Sequence, residues 1–115
     1  MRDKSEENWN AGYACLDAEH YNAAASRFYY AVFQAVLFYA RKKQQYKHQP
    51  NKIHSDMMSY VERQNNPRWL RVFSQLKGLR VTADYDPDRL QKNDIQKILN
   101  EADDIRKSFL KEAEL

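Results

Sequence analysis

The chain has 115 residues, 43% of them hydrophobic, which is the size of one domain and enough to bury a core without disulfides or a structural metal. Two Gly and three Pro, against abundant Ala, Leu, Lys, Gln, Arg and Glu, exclude a turn-rich β architecture and point to an all-α class. The net charge of +3, from 19 basic and 16 acidic residues, permits an RNA partner but is far from the basic stripe of a dedicated nucleic-acid binder.

Met1 to Glu7 is charged and lacks the run of roughly 7–15 apolar residues of a secretory signal, so a cytoplasmic protein is expected. The first helix is expected to start after Ser5 as N-cap, with Glu6 and Glu7 in its first turn and Trp9, Tyr13 and Leu16 recurring at i, i+4, i+7. It should end near Glu19 and His20. The lone Cys15 cannot close an intrachain disulfide and reads as a small buried hydrophobe in a reducing compartment.

A second helix, from about Asn22 to Gln45, carries one stripe of Ala25, Phe28, Val32, Ala35 and Tyr39 and another of Ala24, Ala31, Phe38 and nearby Val36. Being apolar on most faces, it should be the central helix. Its alanines admit close neighbours, while Phe28, Tyr29, Tyr30, Phe33 and Phe38 fill the remaining volume. Its most apolar run, Phe28 to Ala40, is shorter than the ~20 residues a bilayer span requires, so no membrane partner is expected.

Gln44 to Lys52 turns polar around Pro50 and Asn51 and reads as a long loop. A shorter helix then carries Ile53, Met57, Met58, Tyr60 and Val61. Asn66 as N-cap and Pro67 at the first helical position open a fourth helix with Trp69, Leu70, Phe73, Leu76 and Leu79, reaching about Thr82. Asp84-Tyr85-Asp86-Pro87-Asp88 ends it, with Asp88 able to cap a last helix that carries Leu90, Ile95, Ile98, Leu99, Ala102, Ile105 and Phe109 to near the carboxyl end. The expectation is an up-and-down antiparallel bundle of four to five helices, one domain over residues 1–115.

Candidate chemistry is sparse. His20, His48, His54 and Cys15 show no metal-ligand spacing, and there is no Gly-rich phosphate loop and no nucleophile elbow, so no metal or cofactor is expected. Asp84, Asp86 and Asp88 alternate like the start of a calcium loop, but no Gly follows at the sixth place and Ile95 stands at the twelfth; turn chemistry explains them better. Arg27, on an otherwise apolar helix, either keeps its head in water at an edge or pairs with a carboxylate such as Asp84. Arg80 and Tyr85, near a helix end, either contact phosphate or lock the following loop; the residues alone favour the lock.

Tyr21-x2-Ala24-x2-Arg27-x-Tyr29-Tyr30-Ala31-x-Phe33-x-Ala35, followed by Leu79-Arg80-x2-Ala83-Asp84-Tyr85, resembles the short prokaryotic HEPN proteins over about residues 8 to 112. The resemblance implies a bundle of four to five helices that forms a two-fold homodimer, often beside a small nucleotidyltransferase in toxin–antitoxin or defence modules, with RNA or a nucleotide as ligand. Some relatives are metal-independent endoribonucleases, carrying an Arg followed four to six residues later by His, brought by both subunits to one cleft. Arg80 matches that Arg, but the reachable positions hold Tyr85, Asp86 and Pro87, and no His. Imidazole, with a pKa near 6.5, takes the proton of a 2′-hydroxyl at neutral pH far better than a phenol near 10. A binding module is therefore the first expectation, with Arg80 in the cleft and Arg27, Asp84 and His54 supporting it. The alternative is a ribonuclease using Arg80 with Tyr85 or His54 as base.

Overall fold

The computed structural model describes residues 2–43 and 50–115. Among the described residues there are five helices, α1 (Arg2–Asp17), α2 (Tyr21–Lys42), α3 (Ile53–Arg63), α4 (Pro67–Tyr85) and α5 (Lys92–Ala113), and two single-turn 3₁₀ segments, Pro50–Lys52 and Pro87–Arg89. The fold is an all-α bundle. No helix among the described residues is long and apolar enough to cross a membrane.

The central place of α2 follows from its sequence. Eleven of its 22 residues are buried, from Ala24 and Ala25 through Phe28, Tyr29 and Val32 to Ala40, and it packs against α1, α3, α4 and α5. The alanines let α1 and α5 approach, and the rings close the spaces between them. Trp9 and Leu16 of α1 are buried as their spacing predicts, but Tyr13 is 41% exposed, its ring set edge-on to Trp9 and Phe28. Close approach of α1 to α2 depends on Gly12, where a Cβ would lie 2.6 Å from an atom of the Phe28 ring.

Several boundaries differ from expectation, each for a local reason. Helix α1 begins at Arg2, so Ser5 is not its N-cap; Ser5 is fully buried, and its hydroxyl donates across to the Ala31 carbonyl of α2 at 2.7 Å. The helix stops at Asp17 because Glu19 turns left-handed (φ 64°), so that His20 N–H donates to the Cys15 carbonyl and Glu19 N–H to that of Leu16. Cys15 packs against the core but is only partly buried. Helix α2 ends at Lys42, with Lys43 as its C-cap donating to the Tyr39 carbonyl; Gln44, Gln45, most of the expected loop and His48 lie outside the described residues.

Asn66 caps α4 as expected, its side chain accepting from Trp69 N–H at 3.2 Å with Pro67 at the first helical position. The helix runs three residues beyond Thr82, to Tyr85, and Asp86 N–H closes it on the Thr82 carbonyl. Asp88 does not cap α5. It is exposed in the 3₁₀ turn, and the cap is formed by Gln91, whose N–H donates to the Asp94 carboxylate at 3.0 Å.

Arg106 is 2% exposed, donating to Glu6 at 2.8 Å, to Asp103 at 2.9 Å and to Ser5 at 3.4 Å, with its guanidinium 5.0 Å above the Trp9 ring. These contacts tie the two ends of the chain to each other. On the surface, Arg71 and Arg68 bind Glu101, and Arg68 also reaches Asp104, bracing α4 on α5.

Candidate functional site

Three helices bring the candidate residues together. Helix α2 contributes Tyr29, Tyr30 and Phe33; α3 contributes His54 at its second position; and α4 presents Phe73, Lys77, Arg80 and Asp84, spaced i, i+4, i+7, i+11 so that they share one stripe.

Tyr29 is the hub. Fully buried, it lies parallel to Phe73 (centroids 5.7 Å apart, planes 2° apart), and its hydroxyl is 3.0 Å from His54 Nδ1. The Arg80 guanidinium sits 5.3 Å from the centroids of both Tyr29 and Tyr30, held by cation–π attraction. Its Nε is 3.9 Å from the Asp84 carboxylate, a loose i,i+4 contact, and about a quarter of its side chain remains exposed. His54 stacks on Phe33 at 4.6 Å and meets Tyr30 edge-on at 5.7 Å.

This setting controls protonation. Burial pushes the Tyr29 phenol up to about 12, only partly offset by Arg80, so it stays protonated at neutral pH. Burial also lowers the His54 pKa, with the positive charges of Arg80 and Lys77 adding to the effect, so the imidazole is held neutral. An Arg and a neutral His therefore flank one buried phenol. The cluster can bind an anion through Arg80 and exchange hydrogen bonds through His54.

Of the residues singled out in the sequence, Arg80, Asp84 and His54 come together here. Arg27 is exposed, and its guanidinium donates to Asn8 of α1 at 3.1 Å; of its two expected settings the edge is observed, not the pairing with Asp84. Among the described residues no contact links Arg27 to the cluster. Tyr85 is 84% exposed and, five residues beyond Arg80 on the same helix, stands about 140° around it. Within one chain the two side chains are not brought together.

The sequence marks Tyr29 and Tyr30 as volume-filling rings and as part of the motif that carries the family resemblance, without a site role, and gives Lys77 none. The signal for Tyr29 was available: a phenol in the most apolar helix needs a hydrogen-bond partner, which Phe would not. Among the described residues no group of three or more His, Cys, Asp and Glu is placed to hold a metal ion. A groove of about 530 Å³ between α4 and α5, lined by Arg71, Gly78, Thr82, Lys97 and Glu101 among others, contains no residue of the Arg80 cluster.

No curated protein and no solved structure matches the chain. The HEPN domain profile, in contrast, matches residues 1–113. Since that match runs over almost the whole length and includes both the α2 tyrosines and the α4 Arg-x2-Ala-Asp-Tyr stretch, the chain belongs to the HEPN domain family.

Proposed function

We propose that this protein is a HEPN binding module that engages the phosphate of RNA or a nucleotide through Arg80, acting as a homodimer beside a small nucleotidyltransferase in a toxin–antitoxin or defence setting. The observation that carries the reading is the state of Arg80. Two tyrosine rings hold its guanidinium in place, its one carboxylate neighbour among the described residues, Asp84, is distant at 3.9 Å, and part of its side chain faces solvent. A cation already oriented and only loosely paired loses little on meeting a phosphate oxygen. Tyr85 in the place of the ribonuclease His argues against strand cleavage.

The large aromatic content of α2 does not itself argue for the dimer, since its own neighbours cover it; the exposed large apolar side chains on α4 are Val81 and Tyr85. Any meeting of Tyr85 with Arg80 requires a second copy. Light scattering at tens of micromolar should give about twice 13.8 kDa, and a monomer alone would remove the dimer from the proposal.

One observation favours a second reading, a metal-independent endoribonuclease: His54 is neutral and lies near Arg80. The deciding experiment measures binding and cleavage of a fluorescein-labelled RNA in EDTA. A binding module gives no cleavage, weaker binding in Arg80→Ala, and unchanged binding in Tyr85→Phe. EDTA-resistant cleavage that disappears in Arg80→Ala would establish the ribonuclease instead.

A further inference from the structure

The destination of the Tyr29 hydroxyl proton decides what His54 can do. Tyr29 has no exposed surface, so water cannot take that proton, and among the described residues the hydroxyl has one hydrogen-bond partner, His54 Nδ1 at 3.0 Å. If Nδ1 carried a proton it would donate to the phenol oxygen, and the phenol's own hydrogen would be buried without an acceptor. An orphaned donor of that kind costs about 1–3 kcal/mol. If Nδ1 carries the lone pair, both groups are satisfied by one bond.

We infer that Tyr29 fixes His54 as the Nε2–H tautomer, so that the imidazole offers a phosphate ligand a hydrogen-bond donor and not a base. Tyr29 is then a positioning residue that acts through His54. His54 is only partly buried, and among the described residues Nε2 makes no hydrogen bond within the fold, which leaves it the ring nitrogen to meet a ligand. The groups around the imidazole agree with an anion as ligand. Among the described residues, α2 sets the rings of Tyr29, Tyr30 and Phe33 against the imidazole, and α4 supplies Lys77 and Arg80, with Asp84 against Arg80. On α3 itself, Asp56 is half-buried two residues on, with interactions of its own.

The donor role rests on the phosphate-binding reading of the Arg80 site; the tautomer does not. It also opposes His54 as ribonuclease base. A base needs the Nε2 lone pair, and moving the proton to Nδ1 would strand the Tyr29 hydroxyl.

Long-range proton–nitrogen NMR on the labelled full chain near neutral pH, with His54 assigned by its loss in His54→Gln, should show a protonated Nε2 and a bare Nδ1. The reverse pattern overturns the inference whatever the protein binds. In Tyr29→Phe, which keeps the ring on Phe73, the Nδ1–H form should appear; a folded variant with an unchanged pattern would refute the role of Tyr29. If that variant does not fold, the natural protein's spectrum still decides. In the binding arm, with a fluorescein-labelled oligouridine, His54→Ala should weaken binding about ten-fold, and His54→Gln, whose amide N–H takes the Nε2 place, should return it to within about three-fold. Equal losses in the two variants would overturn the donor role. Unchanged binding in Arg80→Ala, with the Nε2–H pattern intact, would remove the phosphate reading and leave the tautomer standing.

Discussion

Phe33 connects the stability of the bundle to the state of its candidate site, so its removal has two separable consequences. The ring is 3% exposed, stacked on His54 at 4.6 Å, and about 6.0 Å from the rings of Tyr29 and Tyr30. Phe33→Ala forfeits about 2–3 kcal/mol of transfer free energy. The void left among rings that Phe73 and α4 hold in place adds about 1–2 kcal/mol, for a total of about 3–5 kcal/mol. The lower end is expected, because His54 is only partly buried and can settle into the space. Urea unfolding followed by circular dichroism measures the loss directly, and the midpoint of thermal unfolding should fall on the order of 12 °C. Phe33→Leu, which keeps most of the volume, should cost about 1–1.5 kcal/mol. The second consequence is electrostatic: with its apolar cover removed, the His54 pKa should rise back toward its ordinary value, since burial is the largest cause of its depression. A loss below about 1 kcal/mol for Phe33→Ala would refute the placement of the ring and the orientation of α2.

Arg106 separates packing from charge. Arg106→Ala removes a buried guanidinium with bonds to both ends of the chain and leaves a hole, at a cost of about 3 kcal/mol. Arg106→Met, which refills the space and returns the half-exposed Glu6 to water, should cost under about 1 kcal/mol by urea unfolding; equal losses would show that the ion pairs matter more than the volume. His54 makes stability depend on pH. Its folded pKa is lowered, so its contribution is complete above the ordinary 6.5 and is lost as pH falls through the lowered value. Natural protein should therefore lose stability relative to His54→Gln from about pH 6.5 downward, and parallel profiles would contradict a partly buried imidazole with a lowered pKa.

The parts of the fold that could be read from the sequence were those where one local rule acted alone. Asn66 and Pro67 mark the start of α4 through a side-chain cap and a missing N–H, and nothing tertiary competes with them. Ser5 looks like the same kind of signal, but its hydroxyl is used across the bundle by the Ala31 carbonyl, and the helix starts a turn earlier. Asp88 lost its expected role because Pro87 sets a 3₁₀ turn, and the cap passes to Gln91 with Asp94. The buried Arg106 escaped because its partners Ser5 and Glu6 are about a hundred residues away, where no periodicity reaches.

The same division explains the candidate site. Arg80 and Asp84 are legible through the Arg-x2-Ala-Asp-Tyr stretch that carries the family resemblance; their contact at i,i+4 on α4, in place of the expected pairing of Asp84 with Arg27, is what the structure adds. His54 reads from the sequence as a supporting residue or a substitute base, with nothing nearby in the chain to orient it. What makes it more than that is Tyr29, and a tyrosine among phenylalanines in an apolar helix is chemically conspicuous only once its hydroxyl is asked for a partner. Ring packing alone would be met as well by Phe at position 29, and the stack on Phe73 and the seat for Arg80 need no oxygen. Burying a phenol with its pKa pushed to about 12 therefore sets the hydroxyl's desolvation against a single gain, the bond to His54 Nδ1. That bond ties the state of an imidazole on α3 to a residue in the core of α2, beside a guanidinium on α4. A core residue of α2 thus reaches the proposed ligand through the tautomer it imposes on His54.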